Sequence, residues 1–279
     1  MAHTPPLTHL PDCDMNPTQT TEAAKHLWQL AQQGKTTDHL PQACRPQSRA
    51  EGYAVQAAIS QVASKKIVGW KIAATSAAGQ KHINASGPIV GSLLEGQVFR
   101  SGATIPSVGN HMHVVEPEIA FVFGRDLAPR STPYTQDEVM QAVSHLHTAL
   151  ELPSSRFTDF TQAGDAQLIA DNACAHLFVL GSATLSNWRS LTLDHHPVTA
   201  EVTRKDGSKW SREGSSNAVL GDPRVALTWM VNEITAQGVT LRKDQFVTTG
   251  TCMVPLEVTD GDHVVADYGV IGSISLTYG

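Results

Sequence analysis

The run His113-Val-Val-Glu-Pro-Glu-Ile-Ala-Phe-Val-Phe123 constrains this chain more than any other segment. From Val114 onward it is apolar except for Glu116 and Glu118. Side chains alternate across a strand, so residues two apart share a face and these two carboxylates emerge side by side. Carboxylates that close raise each other's pKa unless a cation lies between them. Glu151, near the end of His147-Thr-Ala-Leu-Glu-Leu152, sits in a comparable apolar setting. Three carboxylates converging on one point make the hard, oxygen-only site that Mg²⁺ or Mn²⁺ prefers. The competing reading is a solvated strand face, with Pro117 marking an edge or irregular strand. Nothing local brings Glu151 to the pair.

A chain of 279 residues makes one large domain or two modest ones, and 41% hydrophobic residues supply a substantial core. The formal net charge of -6, with no basic block, argues against nucleic acid as a partner. Cys13, Cys44, Cys174 and Cys252 form no CxxC pair, which fits reduced thiols in a cytoplasmic protein. No stretch reaches the roughly 18 apolar residues of a membrane span. The first residues lack a basic or apolar signal region, and residues 1–19 read as a flexible polar tail.

Thr20-Thr-Glu22 predicts a helix start, with apolar positions at helical spacing up to Gly34. A second helix is expected over Ser48–Lys65. From residue 67 the pattern turns β-rich, beginning with Ile67-Val-Gly-Trp-Lys-Ile-Ala73. Thr135–Leu150 reads as a helix, Leu185–Trp210 as two or three strands of a meander turning near Gly207, and Pro223–Thr235 as a late helix. Strands follow at Gln245–Thr249, His263–Asp267 and Gly272–Tyr278. The division is a tail over 1–19, a helical region with the first strands over 20–100, and a β-rich domain over 101–279.

Lys71 lies mid-strand among apolar neighbours, where a lysine is costly unless paired or functional; a surface charge is the alternative. Thr248-Thr-Gly-Thr251 offers hydroxyls and backbone N–H groups to an anionic ligand, or is a structural turn. A helix would put His145 and His147 on different faces, and Asp194-His-His196 reads as a polar loop. There is no Gly-x-Gly-x-x-Gly, Walker A loop, His-Glu-x-x-His or Gly-x-Ser-x-Gly, so nucleotide cofactors, zincins and serine hydrolases lack support.

Several pieces, in order, resemble the fumarylacetoacetate hydrolase superfamily, in particular its hydratase/decarboxylase branch. They are Tyr53-Ala-Val-Gln56, Val68-Gly-Trp-Lys-Ile72 with Thr75-Ser76, Val115-Glu-Pro-Glu-Ile-Ala-Phe121, Ala149-Leu-Glu-Leu152, Ile169-Ala-Asp-Asn-Ala173 and Gly272-Ser-Ile-Ser-Leu276. The resemblance implies a mixed α/β fold, with a strongly curved β roll and a smaller helical N-terminal region. It maps Glu116, Glu118 and Glu151 onto ligands of Mg²⁺ or Mn²⁺, and Lys71 onto a catalytic lysine. Thr75, Ser76, Thr249, Gly250 and Thr251 become substrate-binding candidates.

The activity implied is hydration of 2-hydroxypenta-2,4-dienoate or a close analogue in aromatic catabolism. Decarboxylation of 2-oxohex-3-enedioate is the runner-up, followed by C–C hydrolysis of an acylpyruvate or a non-catalytic partner role. The hydrolases' early Gly-x-Asn-Tyr-x-x-His stretch is missing. A homo-oligomer, or a hetero-complex with a pathway enzyme, is expected. Gln167, Cys174 and His176 stand where the family pattern often has Asp, Ser and Gly. If that segment lines the pocket, they alter substrate or reaction. Cys174 is not expected to act as a nucleophile, since apolar surroundings keep a thiol protonated.

Overall fold

The computed structural model describes residues 15–279. Its first helix, α1 (Pro17–Gln33), begins ahead of the Thr20 signal. Asn16 accepts from the Gln19 N–H while the Gln19 side chain accepts from the Asn16 N–H, and Pro17 occupies the first turn. This reciprocal cap draws residues 17–19 of the expected tail into the helix; residues 1–14 lie outside the described part. Helix α2 (Arg49–Ala63) starts on the Ser48 cap and packs between α1 and the short α5 (Asp165–Ala170).

The principal sheet has the order β2 (Ile89–Leu94), β1 (Ile67–Ala73), β10 (Phe246–Thr251), β5 (Val114–Phe123), β6 (Val143–Leu152), β7 (Leu177–Ala183) and β3 (Val98–Arg100), with β11 (Leu256–Glu257) also pairing with β5. Strands from both the 20–100 and 101–279 segments therefore share one hydrogen-bonded sheet. A second sheet has the order β4 (Thr104–Ile105), β13 (Ser273–Tyr278), β12 (His263–Asp267), β8 (Pro197–Thr203) and β9 (Lys209–Ser215). Helix α6 (Pro223–Ala236) packs on α4 (Gln136–Ala142) and β10.

Two expectations are corrected, and a third is met in its smaller form. The helix expected over Thr135–Leu150 ends at Ala142, and the rest is β6. Its apolar residues fit a helical face, but pairing with β5 on one side and β7 on the other decides the conformation. His145 and His147 consequently share a strand face, with rings 6.2 Å apart, and His147 Nδ1 lies 2.9 Å from the Gly181 carbonyl. The meander expected over Leu185–Trp210 is present with two strands, the β8–β9 hairpin turning at Gly207, preceded by a 3₁₀ turn at Trp188–Ser190. Pro117 sits on an interior strand, not an edge. Its carbonyl accepts from Cys252 N–H, on the side where the β10 ladder loses register between Thr248 and Thr251. The missing proline N–H falls where no regular ladder bond is needed.

The sheet is strongly curled. Ile119, Phe121, Phe123, Leu146 and Leu150 belong to the main core. The opposite, concave face carries a separate small cluster of Leu93, Ala120, Ala149, Ala175, Phe178 and Phe246, with the Phe178 and Phe246 rings stacked at 4.9 Å. This cluster forms an apolar plug beside Glu118 and Glu151, which lie two residues along their strands from Ala120 and Ala149.

Candidate metal centre

On the concave face, Glu116 is paired directly with Glu151, and Glu118 with Ala149. The strand period and this register put all three carboxylates on one face, with one ligand oxygen from each within 4.8 Å of the others. Glu118 and Glu151 are fully buried, whereas Glu116 is half-buried and lines a cavity. Glu118 Oε2 accepts from the Thr248 hydroxyl and from Gly250 N–H at 2.7 Å. Glu118 Oε1 and Glu151 Oε2 are buried with no hydrogen-bond partner among the described residues. Unpartnered buried carboxylate oxygens are costly, and a hard divalent cation satisfies them, so this donor set fits a metal ion of that kind. Burial, then Glu151, pushes the Glu116 pKa up, partly offset by Lys71; burial, then Glu151 and Glu116, raises that of Glu118 well above the usual range.

Lys71 enters from β1. In a flat sheet its strand would stand three spacings, about 14 Å, from β6. The curl closes that gap: Lys71 Nζ lies 3.0 Å from Glu151 Oε1 and donates to the Ala173 carbonyl at 2.8 Å. Burial disfavours the ammonium, but Glu151 and then Glu116 outweigh it and raise the Lys71 pKa. The ion pair with Glu151 favours its ammonium form.

The Ala173 carbonyl is aimed by a left-handed turn. Asn172, Ala173 and Cys174 have φ of 56°, 51° and 61°, a conformation that non-glycine residues resist. Surrounding contacts enforce it. Asn172 exchanges hydrogen bonds with the Ser92 backbone, while Arg156 grips the Asp171 carboxylate on one side and the Ala175 carbonyl on the other. Gly91 lets the turn approach β2, since a Cβ there would clash with the Asn172 carbonyl oxygen. The Asp-Asn-Ala run signals this turn in the sequence; its aim at Lys71 does not follow from local pattern.

The cavity, about 960 Å³, is lined by Lys71, Glu116, Thr75, Ser76, Gly250 and Thr251 among others. Ser76 Oγ caps α3 (Ala77–His82), and Thr251 Oγ1 donates to the Met253 carbonyl. The Gly250 N–H is committed to Glu118. Thr249 is fully buried, donates to the Ile119 carbonyl and is not among the lining residues. Thr248, the first residue of the Thr248-Thr-Gly-Thr251 segment, gives its hydroxyl to Glu118 instead of facing a ligand. Of the three departures, only Cys174 lines the cavity, and burial first pushes its thiol up to about 12. Gln167 accepts from Leu40 N–H and donates to Ala163, while His176 lines a separate small cleft beside Arg156.

Together these features define a mixed α/β protein with an acidic centre in the lap of a curled sheet. A model of the fumarylacetoacetate (FAA) hydrolase C-terminal region matches residues 67–277, and the chain belongs to that family. The 2-keto-4-pentenoate hydratase of Paraburkholderia xenovorans (strain LB400) is 32% identical over 263 residues, covering 93% of this chain and 95% of that protein. The 4-oxalocrotonate decarboxylase from Pseudomonas putida G7, solved with magnesium and adipate, matches with a TM-score of 0.83 at 22% identity, over 96% of this chain and 100% of that one. The same decarboxylase solved with calcium and acetate gives a TM-score of 0.81 at 22% identity, with the same coverage. At that identity the likeness speaks to fold alone. Among the described residues, no helix is long and apolar enough to cross a membrane.

Proposed function

We propose that the protein is a divalent-metal-dependent lyase that adds water to 2-hydroxypenta-2,4-dienoate or a close analogue in the breakdown of aromatic compounds. The observation that carries this reading is the buried Lys71–Glu151 pair beside Glu116 and Glu118 at the floor of a cavity. Glu116, Glu118 and Glu151 would hold Mg²⁺ or Mn²⁺. The bound ion supplies Lewis-acid polarisation of a 2-keto acid's oxygens. Lys71 uses one N–H on Ala173 and pairs with Glu151, leaving donor capacity for the substrate's acidic head. Held as an ammonium, it stabilises the negative charge that develops there and supplies a proton. The plug of Phe178 and Phe246 closes the floor, so these charges act in a water-poor setting where they are stronger.

Decarboxylation of 2-oxohex-3-enedioate would draw on the same charge stabilisation, and the fold likeness to a decarboxylase keeps it as the second reading. On the family resemblance we take the enzyme to be cytoplasmic and homo-oligomeric. The test follows ultraviolet absorbance of freshly generated 2-hydroxypenta-2,4-dienoate with Mg²⁺, Mn²⁺ or EDTA present. Metal-dependent loss yielding 4-hydroxy-2-oxopentanoate is expected. Turnover of 2-oxohex-3-enedioate alone would replace hydration by decarboxylation.

A further inference from the structure

The concave face changes character along its strands. On β5 the inward residues run Glu118, Glu116, Val114; on β1 they run Lys71, Ala73; on β2 they run Gly91, Ile89. Because β1 is parallel to β10 and antiparallel to β2, and β10 is antiparallel to β5, all three series advance in the same direction. One step beyond the carboxylates and the lysine, about 7 Å along each strand, the wall is therefore Val114, Ala73 and Ile89. All three line the cavity, as do Ile83, Phe157 and Phe160 farther along the chain.

Charge is as unevenly placed as polarity. Of the described residues lining the cavity, Lys71 alone is a lysine or arginine, and it is committed to the acidic centre. The other basic side chains are His82, packed edge-on to Phe160 at 5.7 Å, and His111. An imidazole is not the permanent cation that a lysine or arginine is. The cavity also carries the hydroxyls of Thr36, Ser155 and Thr158, but a substrate bound by its 2-keto acid head and extending along the strands would meet the apolar wall of Val114, Ala73 and Ile89. A second carboxylate there would lose water and meet no permanent positive charge, whereas a hydrocarbon would gain by burial. A volume of about 960 Å³ lies at the upper end of small-molecule sites. That is ample for more than a vinyl end.

We infer that the substrate is a 2-hydroxydienoate carrying an alkyl or aryl group at its far end, and not a dicarboxylate. This rests on the hydratase reading and sharpens it. The test compares kcat/KM at pH 8 with Mg²⁺ for 2-hydroxypenta-2,4-dienoate, 2-hydroxyocta-2,4-dienoate and 2-hydroxyhepta-2,4-dienedioate. The octadienoate should exceed the parent by roughly fourfold for each methylene buried. The dioate should fall at least tenfold below the octadienoate. A dioate used as well as the octadienoate, or an octadienoate used worse than the parent, overturns the inference and leaves the hydratase standing. If none reacts, the hydratase reading fails, and binding decides the rest. Calorimetry of 2-oxooctanoate against 2-oxooctanedioate on the Mn²⁺-loaded protein should then show tighter binding of the monoacid; tighter binding of the diacid overturns the inference.

Discussion

Glu118 is the most tightly held of the three carboxylates, fixed by Thr248 and Gly250 on one oxygen and unpartnered on the other. In the metal-free protein Glu116 and Glu118 keep their protons to higher pH than in the unfolded chain. The folded state then binds more protons above the ordinary carboxylate range. The associated stability is fully present below that range and is lost as pH rises through the raised folded values. Thermal melts of EDTA-treated protein should shift downward between about pH 5 and pH 8, and saturating Mg²⁺ or Mn²⁺ should flatten the trend. A flat metal-free profile would mean the carboxylates are already ionised. Glu118→Gln replaces this titrating carboxyl by an amide of the same size, so its metal-free melting temperature should fall less steeply than wild type as pH rises. It should also lose the metal-induced stabilisation, which reaches about 2.7 kcal/mol for wild type at a hundredfold excess over Kd. Lys71→Met retains the three carboxylates, so calorimetric metal affinity should change little while kcat falls about 10²–10³-fold. Unchanged kcat would return Lys71 to a purely structural pairing. Residue type alone singled out Lys71 and the Glu116/Glu118 pair as candidates, because charges are out of place in apolar strands; a surface charge and a solvated face stayed open until the family resemblance assigned their roles.

At the scale of elements, alternation and caps were readable where they were strong. The strands at Ile67–Ala73 and His263–Asp267 and the Ser48-capped helix coincide with the expected segments. Thr135–Leu150 reads as one helix because its apolar positions satisfy a helical period, and only pairing with β5 and β7 selects the strand for β6. Glu151 depends on that choice: on a strand it faces Glu116 directly. The left-handed turn at 172–174 and β2 form a second coupled pair. A methyl at position 91 would clash with the Asn172 carbonyl and lie 3.1 Å from Lys71 Cγ and Cδ. Gly91→Ala should therefore cost about 1–3 kcal/mol in denaturant melts and lower kcat at least tenfold by displacing Lys71. A variant with normal kcat would show that the turn does not set the lysine's position.

For the whole molecule, the decisive property is curl. It brings β1 within reach of β6, separates the apolar plug from the main core and leaves an open hollow beside the carboxylates. The second sheet is tied to this roll where Tyr268, between β12 and β13, donates its hydroxyl to the Ala149 carbonyl at 3.0 Å. Tyr268→Phe should lower global stability by about 1 kcal/mol with kcat/KM unchanged. A large loss of activity at full stability would place Tyr268 in the site itself. The sequence by itself determined the carboxylate pair, the misplaced lysine and most helix and strand identities, because side-chain alternation, capping and residue chemistry act over a few positions. Only the tertiary structure decided that Pro117 lies on an interior strand, that Glu151 and Lys71 meet, and that the far wall is apolar. These depend on pairing between strands more than a hundred residues apart and on the curvature they adopt together.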